Sequence, residues 1–376
     1  MKLTVRIQKK FAKKNYLHRS KNQNEHQSFT LEADFNNNDG CLGILGASGS
    51  GKSLTLKCIA GIETPDEGYI SLGERVLFDS AAKINIKPQQ RAVGYLFQNY
   101  ALFPSMTVLQ NITLALNEQN RRNKRQSRLL KTEIDGKACL FLEKLGLSGF
   151  ENRYPATLSG GEQQRCALAR MLILKPQAML LDEPFSALDS TLREQMQILM
   201  QDILQEAREQ STAIMVTHSR DEAYRLCPNL AVMEHGKIIS SGITADIFAS
   251  PLNITAAQLT GCKNISAVRK TGENKYFAVD WGIELQTASK CGGTSDSFMP
   301  SYIGIRAHDL IPCTSDTPAI NCVLLKDPKE SRDPFENTII FTSPAGKELW
   351  WKYSKYMIKT LPKSIFLPPE SLMLMN

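Results

Sequence analysis

An α/β fold with a separate, smaller β domain is what this sequence predicts, on three observations. The stretch "CLGILGASGSGKSLTLKCIAG", Cys41 to Gly61, reads as a short buried strand, a glycine loop and a helix. Two further apolar runs, "QAMLLDEP" and "TAIMVTHS", end in polar residues at their C-terminal edge, where ligands sit in open α/β sheets. Past residue 240 the composition shifts, and "KYFAVDWGIELQT", "YIGIRAHDL" and "NTIIFTSPAGKELWWKY" read as strands.

The bulk numbers bound the rest. A chain of 376 residues is long enough for two domains, the larger with a full core. Hydrophobic content of 42% and charged content of 22% are those of an ordinary soluble globular protein. A net charge of +7 and a pI near 8.8 suit a nucleotide, an anionic membrane face or nucleic acid, and choose none of them. Nine cysteines are scattered from Cys41 to Cys322 without a CxxC pair, which argues against a disulfide framework and a zinc site and points to a reducing cytosol. The N-terminus "MKLTVRIQKKFAKK" is basic with no apolar core behind it, so no signal peptide is expected. No apolar run approaches the length that crosses a bilayer.

Along the chain, residues 1–240 are expected to form a nucleotide-binding domain, 241–264 a linker with a helix, and 265–376 an accessory β domain. Alternating stretches in 66–98, such as "GYISL" and "RVLFD", predict a small antiparallel sheet. From 100 to 157 the pattern turns helical and includes "RRNKRQSRLLK", Arg121 to Lys131, which reads as a solvated helix face. The Pro-Ala-Gly-Lys tetrad in "NTIIFTSPAGKELWWKY" predicts a hairpin.

The chemistry begins at Gly46-Ala47-Ser48-Gly49-Ser50-Gly51-Lys52-Ser53. This spacing matches the P-loop: glycines free the backbone to wrap phosphates, its N–H groups donate to them, Lys52 reaches the β and γ oxygens, and Ser53 offers a hydroxyl to Mg2+. "MLLDEP" supplies paired carboxylates at a strand end. Asp182 is suited to hold Mg2+ through its water shell, and Glu183 to orient or polarise the water that attacks the γ-phosphate. His218 ends the next strand, placed to contact that phosphate or position that water. Gln98, in "GYLFQNY", is neutral and able to hydrogen-bond both the metal's shell and the water. Taken alone, "LSGGEQQR" is a capped helix start with Ser159 as N-cap, a phosphate-seeking geometry without a lysine.

The P-loop, Gln98, "LSGGE" at Leu158–Glu162, "MLLDEP", "SALD" and His218 follow one another in an order that resembles the ATP-binding subunits of ABC transporters. The resemblance implies a P-loop core with an antiparallel β subdomain and a helical subdomain, ATP and Mg2+ as cofactors, and a head-to-tail homodimer around two ATP. In that arrangement Ser159, Gly160 and Gly161 close on ATP held at Lys52 of the other copy, with Asp189 of "SALD" at the same interface. "FPSMTVLQNI", "RYPATLSGGEQQRCALARML" and "RDEAYRLC" look like the import branch, most closely the molybdate-importer ATPases, with the sulfate importers next. That implies a peripheral subunit on the cytoplasmic face of the membrane, two permease subunits, an extracytoplasmic substrate-binding protein and no nucleic-acid partner. Three departures stand out: Glu162 where the family often has Gln, Ser219 where Asp is frequent, and an adenine-stacking aromatic that could be Phe11, Tyr16 or Phe29. A soluble ATPase of the same family acting on DNA or ribosomes would need a coiled-coil insertion or a second motif set, and the chain has neither.

Overall fold

The computed structural model describes residues 2–11, 29–122, 130–288, 299–314, 317–318, 320–356 and 360–376. Most of the basic run Arg121–Lys131, and Tyr16, lie outside the described residues. The chain divides into two compact units, Met1–Thr244 and Ala245–Asn376.

The first unit runs β1 (Leu3–Lys10), β2 (Thr30–Asn37), β3 (Cys41–Leu45), α1 (Lys52–Ala60), β4 (Glu67–Leu72), β5 (Arg75–Asp79), β6 (Ile84–Asn85) and β7 (Val93–Leu96). It continues with α2 (Val108–Arg122), α3 (Lys131–Lys144), α4 (Gly160–Leu172), β8 (Ala178–Asp182), α5 (Ser190–Ala207), β9 (Thr212–Thr217), α6 (Arg220–Leu226), β10 (Asn229–Glu234) and β11 (Lys237–Ile243). The strands form one sheet in the order β6-β5-β4-β1-β2-β11-β10-β3-β9-β8-β7. β7, β8, β9, β3 and β10 run parallel. The antiparallel strands read from residues 66–98 are present as β4, β5 and β6, joined to β1 and β2. They are hydrogen-bonded into the parallel part through β2 and β11, where Lys237 pairs with Glu32. Val93–Leu96, within the same stretch, lies at the far, parallel edge as β7.

The parallel strands are apolar throughout because both of their faces are covered. Along β8, Ala178 and Leu180 pack with Leu56 and Ile59 of α1. The alternate residues Met179 and Leu181 pack with Val108, Leu142, Leu168 and Met200 of the helices on the other face. β9 divides likewise, with Ile214 and Val216 on one side and Ala213 and Met215 on the other. β1 obeys the two-residue period instead: Leu3, Val5 and Ile7 are buried between exposed or half-buried neighbours.

A fully buried arginine secures the C-terminal end of α1. Arg91 donates to the carbonyls of Cys58 and Ile59 in the last turn of that helix, and to the Ile86 carbonyl and Asn85 Oδ1. Gly61 makes the room: its φ is +77°, and a Cβ there would lie 2.6 Å from the guanidinium carbon.

In the second unit, strands Ile283–Gln286, Lys275–Ala278, Asn264–Gly272, Tyr302–Ile305 and Met373–Met375 form an antiparallel sheet in that order, beside two three-stranded sheets. Trp281, Trp351 and Phe341 are its largest fully buried side chains. The hairpin stands where the sequence places it, with Glu336–Thr342 pairing Glu348–Ser354 and Gly346 at φ +90° in the turn. Residues 241–264 hold the end of β11 and two short helices, Thr244–Ala249 and Ile254–Leu259.

Candidate nucleotide site

The glycine loop hangs between two rigid supports. β3, buried at every residue, delivers Gly46, and α1 begins at Lys52. A Cβ at Gly46 would sit 2.4 Å from the Met233 carbonyl oxygen, so β10 passes too close for any larger residue. Ala47, Ser48 and Gly49 are exposed. Ser50 is buried, and its hydroxyl has no hydrogen-bond partner among the described residues.

Lys52 is 5% exposed, and its ammonium donates to the Gly46 and Ala47 carbonyls, each at 2.8 Å. Burial pulls that ammonium below its ordinary value, while the nearby Glu183 and Asp182 carboxylates pull it back up. The Ser53 hydroxyl donates to Asp182 Oδ1 at 2.6 Å, and the Tyr95 hydroxyl donates to Oδ2 at 2.8 Å. Burial first, and then the Asp182 charge, push the Tyr95 phenol well above its usual range.

Glu183 follows Asp182 with a φ of +44°, a conformation an unbranched L-residue adopts only when its surroundings impose it. They do: its N–H donates to the Val216 carbonyl, and its own carbonyl accepts from the Ser186 N–H and hydroxyl. The turn aims the carboxylate between two partners. Gln98 Nε2 donates to Oε2 at 3.3 Å, and His218 Nδ1 lies 3.3 Å from the same oxygen.

Ser48, Gly49, Gly51, Lys52, Ser53, Gln98 and Glu183 line a cleft of about 530 Å³, with Phe11 and Phe29 on its wall. The two rings are 6.2 Å apart at an interplanar angle of 47°. The two aromatics named from the sequence that lie among the described residues both reach the cleft.

The donors suit a hard divalent cation. The Ser53 hydroxyl and Asp182 carboxylate offer oxygen only, and no cluster of three or more acidic, His or Cys groups is found among the described residues. Such a site leaves the remaining positions to water and to phosphate oxygens, as Mg2+ prefers. The unpartnered Ser50 hydroxyl and the exposed loop backbone fit a polyanion in the same cradle.

Ser159, Gly160 and Gly161 are not among the residues that line this cleft. They open α4, where Ser159 and Glu162 form a reciprocal capping box: the Ser159 hydroxyl accepts from the Glu162 N–H, and Glu162 Oε2 accepts from the Ser159 N–H at 2.7 Å. Glu162, the departure noted above, is thereby a working cap residue, and the Ser159 N–H holds its carboxyl below the usual range. The "SALD" loop is adjacent: Gly160 faces the Ala187 carbonyl and Leu188, and Asp189 caps α5 by accepting from the Thr191 and Leu192 N–H groups. Ser219, the other departure, caps α6 by accepting from the Glu222 N–H.

Tyr95 and Glu222 were not singled out from the sequence. For Tyr95 the signal was its place on a strand leading to Gln98; for Glu222 it was the S-x-x-E spacing after His218. Glu222 is 6% exposed and accepts from the Thr217 hydroxyl. Burial raises its carboxyl above the ordinary value of 4.5. An acid whose pKa is raised on folding lowers stability as pH climbs through the ordinary value to the raised one, and the penalty is complete above it. Glu222→Gln removes the ionisation, so its unfolding midpoint is expected to gain on the parent's as pH rises from below 4.5 to neutrality. Unfolding curves across that range check it; a constant difference between the proteins sinks the idea.

The chain has clear relatives. The family model described as ABC transporter matches residues 31–186. The sulfate/thiosulfate import ATP-binding protein CysA of Mycobacterium tuberculosis is 38% identical over 218 residues, 58% of this chain. The chain spans 58% of the length of that relative. The putrescine transport ATP-binding protein PotG of Escherichia coli is 34% identical over 281 residues, covering 74% of this chain and 70% of PotG. Among solved structures, the dimeric post-hydrolysis state of the ATP-binding cassette MJ0796 bound to ADP and Pi aligns with a TM-score of 0.51 at 26% identity, covering 65% of this chain and 99% of that one. With the phosphate loop, the capped "LSGGE" helix and the carboxylate pair at the end of β8 in the order that the sequence sets out, the chain belongs to the ABC transporter family.

Proposed function

We propose that the chain is the ATP-hydrolysing motor subunit of an importer for a tetrahedral oxyanion, molybdate or tungstate. The observation that carries the motor reading is the meeting of Lys52, Ser53, Gln98 and Glu183 on one cleft, with Asp182 bonded to Ser53 and His218 beside Glu183, from four separate elements. Lys52 and the loop N–H groups neutralise the β and γ phosphates. Ser53, Asp182 and Gln98 are the residues to hold Mg2+, which when bound offsets the charge that develops on the transferred phosphoryl group. Glu183 orients and polarises the attacking water, with Gln98 and His218 fixing its carboxylate from either side.

The Gly160 and Gly161 N–H groups, with the Ser159 hydroxyl beside them, supply a second phosphate-directed set at the start of α4, while the Ser159 N–H is held by Glu162. These residues do not line the cleft of their own copy, which supports a head-to-tail homodimer in which each copy closes over the nucleotide of the other. A solved cassette that is dimeric and bound to ADP and Pi supports the pairing of two copies. ATP binding closes the pair and hydrolysis reopens it, moving two membrane permease subunits while an external binding protein delivers the anion. Among the described residues no helix is long and apolar enough to cross a membrane, in keeping with a peripheral subunit on the cytoplasmic face. Residues 265–376 serve as an accessory β domain.

For the cargo, molybdate rests on the "RDEAYRLC" run. Sulfate is the second reading, favoured by the mycobacterial relative's name. Cells lacking the protein, complemented with it or with Glu183→Gln, are to be supplied trace molybdate with and without excess sulfate and assayed for molybdenum. Recovery with the parent alone that survives sulfate supports molybdate. Sulfate uptake that tracks the protein instead supports the second reading, and putrescine uptake would overturn the anion assignment.

A further inference from the structure

We propose that Tyr95 is a positioning residue that fixes the metal-binding carboxylate, an inference that rests on the nucleotide-and-metal reading of this cleft. β7 and β8 are parallel neighbours with Tyr95 opposite Leu180. Side chains alternate along a strand, so Tyr95 shares its face with Leu180 and with the residue two further on, Asp182. That diagonal separation is within reach of an aromatic side chain. The Tyr95 hydroxyl spans it and donates to Asp182 Oδ2 at 2.8 Å.

The other oxygen, Oδ1, already takes the Ser53 hydroxyl. A serine oxygen can ligate a cation through a lone pair while its O–H still donates to the carboxylate, so that bond can survive metal binding. One bond alone leaves the carboxylate free to turn about its Cβ–Cγ axis. The second bond, from a different strand, removes that freedom. Asp182 is 5% exposed, so water offers Oδ2 little substitute. The Phe97 ring, 4.3 Å from that of Tyr95, holds the phenol in place. Tyr95 thus sets how well Ser53 and Asp182 are organised for a divalent cation before it arrives.

The test is Tyr95→Phe in the full chain, which deletes one oxygen and keeps the ring. Mn2+ serves as probe, its binding followed by electron paramagnetic resonance with a non-hydrolysable ATP analogue present. Outer-shell partners of metal ligands are worth about 10- to 100-fold in affinity, so Mn2+ binding is expected to weaken about 10-fold, with metal-free nucleotide binding unchanged. In turnover, KM for Mg2+ should rise while kcat at saturating Mg2+ holds. Unchanged Mn2+ affinity overturns the proposal, as does an equal loss of metal-free nucleotide binding, which marks a merely structural role. If Tyr95→Phe does not fold, Tyr95→Gln restores a donor, and Mn2+ affinity lost despite that donor overturns the idea as well. A parent protein that binds no nucleotide at all sinks the nucleotide reading instead, before Tyr95 is in question.

Discussion

Glu183→Gln is expected to lower ATP turnover by about 10²- to 10⁴-fold, the usual contribution of a positioned general base, while nucleotide binding persists. The substitution keeps the length and shape of the side chain, and the backbone bonds that hold residue 183 at φ +44° involve none of its side-chain atoms. What it removes is the charge that Gln98 and His218 now flank at 3.3 Å each. With the proposed phosphate contacts of Lys52 and the loop untouched, the variant should bind ATP and stall in the proposed closed dimer. Steady-state phosphate release and a nucleotide titration on the same preparation separate the two effects. Retained turnover would show that another group activates the water, and lost binding would show that Glu183 shapes the cradle itself.

The largest expected stability effect lies away from that carboxylate. Arg91→Met should destabilise the protein by about 3 kcal/mol, because two carbonyls in the last turn of α1 lose a buried charged donor and only that of Cys58 keeps another partner, the Gly61 N–H. A helix leaves its last carbonyls unpaired, and they carry the negative end of its dipole, so a buried guanidinium meets both needs. Burial pulls the Arg91 guanidinium below its ordinary value, which is the opposing cost. Methionine escapes that cost but leaves the Ile59 carbonyl without this donor and the Cys58 carbonyl with only the Gly61 N–H. Since α1 begins with Lys52 and Ser53, a frayed C-terminal end also loosens the platform under the phosphate loop. Denaturant unfolding at constant slope measures it. An unmoved midpoint would mean that water or Asn85 satisfies those carbonyls unaided.

Much of the site was readable because its spacing is local. The P-loop is eight consecutive residues whose geometry their own backbone dictates, and Ser159 with Glu162 is a capping box at a separation one helical turn enforces. Asp182, Glu183 and His218 were readable because each ends an apolar strand. Tyr95 was not, since its importance lies in Asp182, 87 residues on and across a strand pair. Arg91 looks in sequence like one more surface charge; only the approach of α1 and the missing side chain of Gly61 make it a buried cap. The alternation of Leu3, Val5 and Ile7 in β1 was available but lay within a stretch dominated by lysines.

The sequence by itself determined the phosphate loop, the capped helix that lacks a lysine, and the apolar strands that must be covered on both faces. These follow from bonds and periodicities within a few residues. The tertiary structure alone decided that the antiparallel strands join the parallel ones in a single sheet, because the link is Lys237 against Glu32, distant in the chain. It alone decided where the two carboxylates at the end of β8, Asp182 and Glu183, point. Adjacent residues on a strand face opposite ways, and it takes Tyr95 and Ser53 to pin Asp182, and a forced left-handed turn to swing Glu183 back toward the same cleft.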